Sequence, residues 1–349
     1  MKKKSAIVLL TILLLLMAGC GKSTKGEAKH LNKSPYSRTE FMLGTVVTIK
    51  IYDDEREEVL DDVFERIKEL EDKISSEKQD TEIIEINNNA GIKPVKVTSD
   101  VYRLIETGKK HSQSVNGLFD ITIGPLTQLW HIGFPDARKP EQHEINEVLP
   151  LIDYNEIELD PNNQTVFLTK KRMKLDLGAI AKGFITDEVV KILEEKKITS
   201  AIIDLGGNIY AYGHSPSNDP WTIGIQDPFS ARGNIVGRIK QEDQSIVTSG
   251  IYERYLEVDG EKYHHLLNPN DGYPYQNDIA GVTIITPSSM DADALSTATF
   301  AMGIEEGMEY IEQLDDVEGI FIDHNKNVYL SSGIKKSFEL THEDFKIKH

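Results

Sequence analysis

Cysteine is nearly absent from this chain, with one residue, Cys20, among 349. Without a second thiol there is no intrachain disulfide and no thiolate metal site, so the fold must stand on its apolar core. The familiar nucleotide and hydrolase signatures are missing too. No G-x-x-x-x-G-K-[ST] occurs, no G-x-G-x-x-G after a strand, no H-E-x-x-H and no G-x-S-x-G, which leaves standard phosphate loops and zinc hydrolysis unsupported. Positive charge is scarce, 39 Lys and Arg against 57 Asp and Glu, a formal balance of -18. An acidic surface argues against nucleic acid as a partner and against electrostatic adhesion to anionic lipid. It does not argue against a phosphate ligand, because a divalent metal and backbone amides reverse the sign at one site. No apolar run is long enough to span a bilayer, which takes roughly 20 residues.

What is present begins with Lys2, Lys3 and Lys4, an apolar stretch from Ala6 to Met17, and small residues ending at Cys20. This is the three-part layout of a secretory signal. Leu16-Met-Ala-Gly-Cys20 resembles a bacterial lipobox, which implies a signal peptide over residues 1–19 and a diacylglycerol thioether on Cys20. An ordinary signal peptide followed by a stray cysteine is the alternative. Two acyl chains suffice for stable anchoring, so the expected location is the extracytoplasmic face of the cell membrane. Cleavage would remove three lysines, giving 36 minus 57, or -21. Residues 20–37 are polar and without period, and read as a flexible tether spanning about 20–25 Å. Residues 38–349 read as one domain.

Thr45 to Tyr52 alternates β-branched residues as a strand does. A helix follows, with Val59, Leu60, Val63, Phe64, Ile67, Leu70 and Ile74 on one face, and Asp54 with Glu57 in capping-box positions. Further helices are expected from Ser99 to His111, from about Ala181 to Lys197, and from about Met290 to Leu314. Strands are expected at Ala201 to Leu205, Ile209 to Tyr212, Trp221 to Gln226 and Ile279 to Ile285. Hairpins should turn on Asp259-Gly260 and on His324-Asn-Lys-Asn327. Hairpins mixed with helices, without strict β-α alternation, indicate α+β.

Four segments concentrate polar groups and glycine. In Asp176-Leu-Gly-Ala-Ile-Ala-Lys182-Gly183, a turn from a strand ending near Leu175 into a helix, Lys182 opposes the helix dipole, as suits a phosphate contact; a surface lysine fits equally. In Met290-Asp-Ala-Asp293-Ala-Leu-Ser-Thr297, Asp293 and Thr297 stand four apart on one helical face and can converge on a hard cation. The alternative is that Asp291 or Asp293 caps the helix. In Asn116-Gly-Leu-Phe-Asp120, Phe119 offers a stacking face and Asp120 an acceptor, or they are a core ring beside a turn carboxylate. In Tyr263-His-His265-Leu-Leu-Asn-Pro269, either histidine can serve as a general base. Adjacent strand residues face opposite ways, so one should serve the site and the other lie exposed.

Together these segments resemble the FAD:protein FMN transferase (ApbE) family over most of the chain, from about Arg38 to Gly333, and in the same order. Phe41-Met-Leu-Gly-Thr-Val-Val-Thr48, Ile203-Asp-Leu-Gly-Gly-Asn208, Trp221-Thr-Ile-Gly-Ile-Gln-Asp-Pro228 and Thr248-Ser-Gly250 extend the likeness. The resemblance implies a largely antiparallel, T-fold-like α+β architecture. It implies FAD as substrate, Mg2+ as cofactor, and FMN passed to a hydroxyl of an exported acceptor protein with release of AMP. By position it implies magnesium at the Ala179 carbonyl, Asp293 and Thr297. Leu43, Leu118, Phe119, Asp120, Lys182 and Leu267 would line the FAD site, with His265 as base. Leu43, Thr81 and Asn268 depart from the residues usual in the family. Hydrolysis of FAD by water, or flavin binding without turnover, are the competing readings.

Overall fold

The computed structural model describes residues 31–348; the expected signal peptide and Cys20 lie outside the described residues. The chain enters through strands β1 (Leu31–Met42) and β2 (Thr45–Asp53), helices α1 (Val59–Ile74) and α2 (Glu82–Asn88), and the short strand β3 (Val95–Lys96). Helices α3 (Ser99–Ser114), α4 (Gly124–Trp130) and α5 (Gln142–Val148) precede the strands β4 (Ile157–Asp160) and β5 (Thr165–Leu168). Helix α6 (Ala181–Glu195) leads into β6 (Ser200–Leu205), β7 (Asn208–Gly213), β8 (Trp221–Gln226), β9 (Ile235–Gln241) and β10 (Gln244–Gly250). A hairpin of β11 (Tyr255–Val258) and β12 (Glu261–His264) follows, then β13 (Ile279–Thr286), α7 (Ser289–Met302) and α8 (Ile304–Ile311). Last come β14 (Glu318–Asp323), β15 (Asn327–Leu330), β16 (Phe338–Leu340) and β17 (Lys346–Lys348).

Among the described residues, nine strands form the main sheet in the order β1-β2-β6-β7-β10-β13-β14-β15-β17, and only the β15–β17 pairing is parallel. The architecture is therefore α+β with largely antiparallel sheets flanked by helices, as the mixture of hairpins and helices indicated. Strand β13 is buried along its whole length because both faces are covered. Val282 and Ile284 pack with Leu295 and Phe300 of α7, while Ile285 packs with Ile223 and Ile239 of the small β16-β9-β8 sheet. The predicted face of α1 is buried at all seven positions against Val47, Ile49 and Ile203 of the main sheet. Each such aliphatic side chain contributes roughly 1.5–3 kcal/mol.

Four expectations are corrected. Residues 31–37 belong to β1 rather than to a tether, with Tyr36 opposite Ile51 and Ser37 opposite Lys50, because the open edge of β2 supplies their backbone partners. Asp54 does not cap α1. Its carboxylate accepts from Asn32 and from the Glu55 amide, and the helix starts later, at Val59, without a side-chain cap. The single helix expected from Met290 to Leu314 is two, divided at Gly303, whose φ of 84° ends α7. No strand ends at Leu175. Asn87 accepts from the Leu175 amide (2.7 Å) and donates to its carbonyl (3.2 Å), so a side-chain amide stands where a neighbouring strand would be.

Helix α6 is fixed against α1 and α3 by the buried Glu188, which meets Arg66 at 2.6 Å, Arg103 at 2.5 Å and Lys191 at 2.7 Å. Burial would raise this carboxyl, but Lys191, Arg66 and Arg103 hold it down at about 2. That lock holds α6 against its neighbours, and the first turn of α6 is the floor of the candidate site.

Candidate active site

Helices α6 and α7 cross at Gly183. A Cβ on this residue would overlap the Ser289 carbonyl, so only glycine lets the helices approach. The Gly183 amide is one of the first-turn donors of α6 that have no acceptor within the helix, and it donates to Asp293 Oδ2 at 2.9 Å. This bond fixes a carboxylate that is only 4% exposed. The other carboxylate oxygen, Asp293 Oδ1, lies 3.5 Å from Lys182 Nζ, which also reaches the Gly178 carbonyl at 3.5 Å.

The start of α7 is capped by residues other than Asp291 and Asp293. Ser288 accepts from the Asp291 amide at 3.2 Å, and Asp187 of α6 accepts from the Ser289 and Met290 amides at 2.7 and 3.0 Å. With that helix end satisfied, Asp293 does not cap α7; its carboxylate serves the first turn of α6 instead. Asp291 instead pairs with His111 at 2.8 Å. Burial pushes the Asp187 carboxyl up to about 6, against the pull of the two amides it caps. Thr297 is half-buried one turn after Asp293. The other hydroxyls of the helix, those of Ser289, Ser296 and Thr299, are spent on Asn208, on the Asp293 carbonyl and on the Leu295 carbonyl. Ala179, Asp293 and Thr297 together present a carbonyl, a carboxylate and a hydroxyl, a hard-oxygen donor set suited to Mg2+.

The opposite wall comes from the β11–β12 hairpin and the residues flanking it. The Arg254 carbonyl accepts from both the backbone amide (3.1 Å) and the ring Nδ1 (3.2 Å) of His265. A carbonyl cannot donate, so the proton sits on Nδ1 and Nε2 keeps its lone pair. Loss of hydration, added to by the charges of Arg254 and Lys182, pushes the ring down to about 3. His264 was expected to be exposed, but it is buried. It donates from Nε2 to the Tyr275 carbonyl (2.9 Å) and accepts at Nδ1 from Leu266 (3.3 Å), edge-on to Phe300. The two histidines do face opposite ways, one into the core and one toward the site.

The Leu118 segment is placed differently from its reading as a flavin platform. Phe119 is 4% exposed in the core, edge-on to His111, so its face is not offered to a ring ligand. Asp120 is buried, and burial pushes its carboxyl up. Its oxygens accept from the Thr122 amide (2.8 Å), the Thr122 hydroxyl (2.7 Å) and the Tyr154 amide (3.0 Å), which folds the loop rather than leaving an acceptor free. The Leu118 carbonyl accepts from Tyr275 Oη at 2.8 Å, and Leu267 is buried in a bridge to Pro274. This ties the 118 segment to the histidine segment. Leu43 turns with φ of 56° and its amide donates to Glu71. Thr81 caps α2 and Asn268 accepts from the Asn270 amide, local roles that account for both departures from the family pattern.

Two groups at this wall escaped the sequence reading. Arg254 reaches the Gly44 carbonyl at 3.3 Å, and Arg232 lies over Gly207. Neither carries a sequence signal, because what distinguishes them is what surrounds them in space.

The ApbE family model matches residues 43–321. The chain is 38% identical over 297 residues to an FAD:protein FMN transferase of Klebsiella pneumoniae (strain 342), covering 85% of this chain and 92% of that protein. It is 34% identical over 348 residues to an FAD:protein FMN transferase of Treponema pallidum (strain Nichols), covering 95% and 96%. The crystal structure of an ApbE protein from Thermotoga maritima superposes with a TM-score of 0.80 at 30% identity, covering 87% of this chain and 99% of that one. The flavin transferase ApbE of Vibrio cholerae gives 0.77 at 27% identity, covering 86% and 98%.

Proposed function

Since the chain belongs to the ApbE family and is a flavin transferase, we propose that it moves FMN from FAD to a Thr or Ser hydroxyl of an exported acceptor protein, with Mg2+ and with release of AMP. The observation that supports the metal and phosphate part of this reading is the bond from the Gly183 amide to Asp293, which holds a buried carboxylate at the first turn of α6 beside Lys182. Ala179, Asp293 and Thr297 would hold the ion, and Lys182 would face the diphosphate from the same helix turn. When bound, the ion supplies charge neutralisation on the diphosphate oxygens.

The chain's own residues supply the rest. Nε2 of His265, unprotonated and aimed away from the carbonyl that holds Nδ1, takes the proton of the acceptor hydroxyl. The hydroxyl oxygen then bonds to the phosphorus that carries riboflavin, the phosphoanhydride bond breaks, and AMP leaves with the bridging oxygen. Loss of hydration keeps the ring unprotonated throughout the neutral range, so Nε2 is available as an acceptor there.

Purified protein incubated with FAD and magnesium, with and without an acceptor, tests the reading through AMP release and protein-bound flavin fluorescence. AMP together with a fluorescent acceptor supports transfer. AMP without labelled acceptor under all conditions indicates hydrolysis instead, and FAD binding without AMP leaves a flavin-binding protein. The anchored, extracytoplasmic location is also our proposal and rests on the lipobox-like run at Cys20. Among the described residues no helix is long and apolar enough to cross a membrane. Cys20→Ser is expected to move the full-length protein from the detergent phase to the aqueous phase on temperature-induced phase separation.

A further inference from the structure

The chain has nine arginines and 57 carboxylate residues. Arg38, Arg56, Arg66, Arg103, Arg138, Arg172 and Arg238 all lie within 4 Å of a carboxylate. Among the described residues only Arg232 and Arg254 have no such partner. In a chain with so large an excess of negative charge, two unpaired guanidinium groups in one region need a reason.

Their surroundings are alike. Arg254 lies over the Gly44 turn, with Nη2 on the Gly44 carbonyl, and its stem packs 2.9 Å from where a Gly133 Cβ would stand. Arg232 lies over the Gly206–Gly207 turn, with Nη2 3.1 Å from the place of a Gly207 Cβ. The two turns are in contact, because a Cβ on Gly206 would overlap the Thr45 side chain. Both glycines of the second turn have positive φ, 65° and 100°, so backbone approaches bare of side chains on this side. Arg232, Lys182 and Arg254 all act on the Glu253 carboxyl, in that order of strength, and Lys182 and Arg254 both act on His265. The arginines thus share one electrostatic neighbourhood with Lys182 and the candidate base.

We infer that Arg232 and Arg254, standing over the paired glycine turns at Gly44 and Gly206–Gly207, form an anion site for the diphosphate of the dinucleotide substrate, acting together with Lys182. This rests on FAD being the substrate. A guanidinium has five donors in a planar fork suited to phosphate oxygens, and Arg254 spends one of them on Gly44. The bare turns let the phosphates approach closely, and with no carboxylate within 4 Å neither guanidinium has a direct ion pair to break first, although both act on Glu253 from further away. The site would also explain how so acidic a surface admits a substrate with two phosphate charges.

The test compares Arg232→Gln, Arg254→Gln and the matching Lys variants with wild type, using FAD, FMN and riboflavin as ligands and flavin fluorescence as readout. Each Gln variant should raise the Kd for FAD by about tenfold or more, with partial recovery in the Lys variants and no change for riboflavin. Thermal unfolding without ligand should change little, since neither side chain has an ion pair within 4 Å to lose and Arg254 gives up only its bond to the Gly44 carbonyl. Unchanged FAD affinity, or equal weakening of riboflavin and FAD, would overturn the assignment. Wild-type protein that binds FAD without releasing AMP would sink the transferase reading alone, and the binding comparison would still decide this one.

Discussion

Gly183 and Ser289 touch backbone to backbone, because the Ser289 carbonyl occupies the space a side chain on Gly183 would need. This contact brings α6 onto α7 and allows the Gly183 amide to reach Asp293. The expected donor set is therefore a property of the crossing, not of either helix.

Gly183→Ala should force the helices apart. An overpacked core typically costs about 1–3 kcal/mol, and a backbone clash that cannot repack should reach the upper end. Thermal unfolding should show the loss, and stabilisation by added magnesium should disappear with it. A variant with wild-type Tm and wild-type metal response would refute the role given to this crossing.

Asp293→Asn retains an acceptor for the Gly183 amide but removes the charge. The fold should survive, with the Tm little changed. Magnesium-dependent AMP release should fall by at least about a hundredfold. Retained metal-dependent turnover would remove Asp293 from the ligand set.

His265→Gln should lower AMP release by about 10²–10⁴ while leaving FAD affinity nearly unchanged. The sign of the pH effect follows from the ring's downward shift to about 3. Wild-type rates measured between about pH 5 and 8 should show no acid limb at the ordinary histidine value near 6.5. An inflection there that vanishes in the variant would contradict the neutral ring.

Glu188 reports on stability rather than turnover. Its folded value near 2 lies below the ordinary 4.5, so its contribution is complete above about 4.5 and is lost as the pH falls through about 2. Glu188→Gln should cost about 1 kcal/mol at neutral pH, because Arg103 and Lys191 lose their carboxylate while Arg66 keeps Glu69 and Asp100. Its stability curve should be flatter than that of wild type on acidification. Denaturant unfolding at several pH values measures both effects.

Much of this was legible in the sequence where the signal is local. The period of Val59 to Ile74 marked the buried face of α1, the unbroken apolar run of Ile279 to Ile285 marked β13, and Asp259-Gly260 marked a hairpin. Asp293 and Thr297 four apart identified a shared helical face, and two adjacent histidines implied opposite directions. These follow from periodicity and turn chemistry, which neighbours in the chain determine. The sequence could not say which histidine would be buried. Nor could it say that Ser288 and Asp187 would cap α7 and release Asp293, that Phe119 and Asp120 would be absorbed into the core and its loop, or that Asn87 would stand in for a strand beside Leu175. It gave no sign that Arg232 and Arg254 alone would lack carboxylate partners. Each of these depends on groups far apart in the chain and brought within a few ångströms by packing, so only the tertiary structure could decide them.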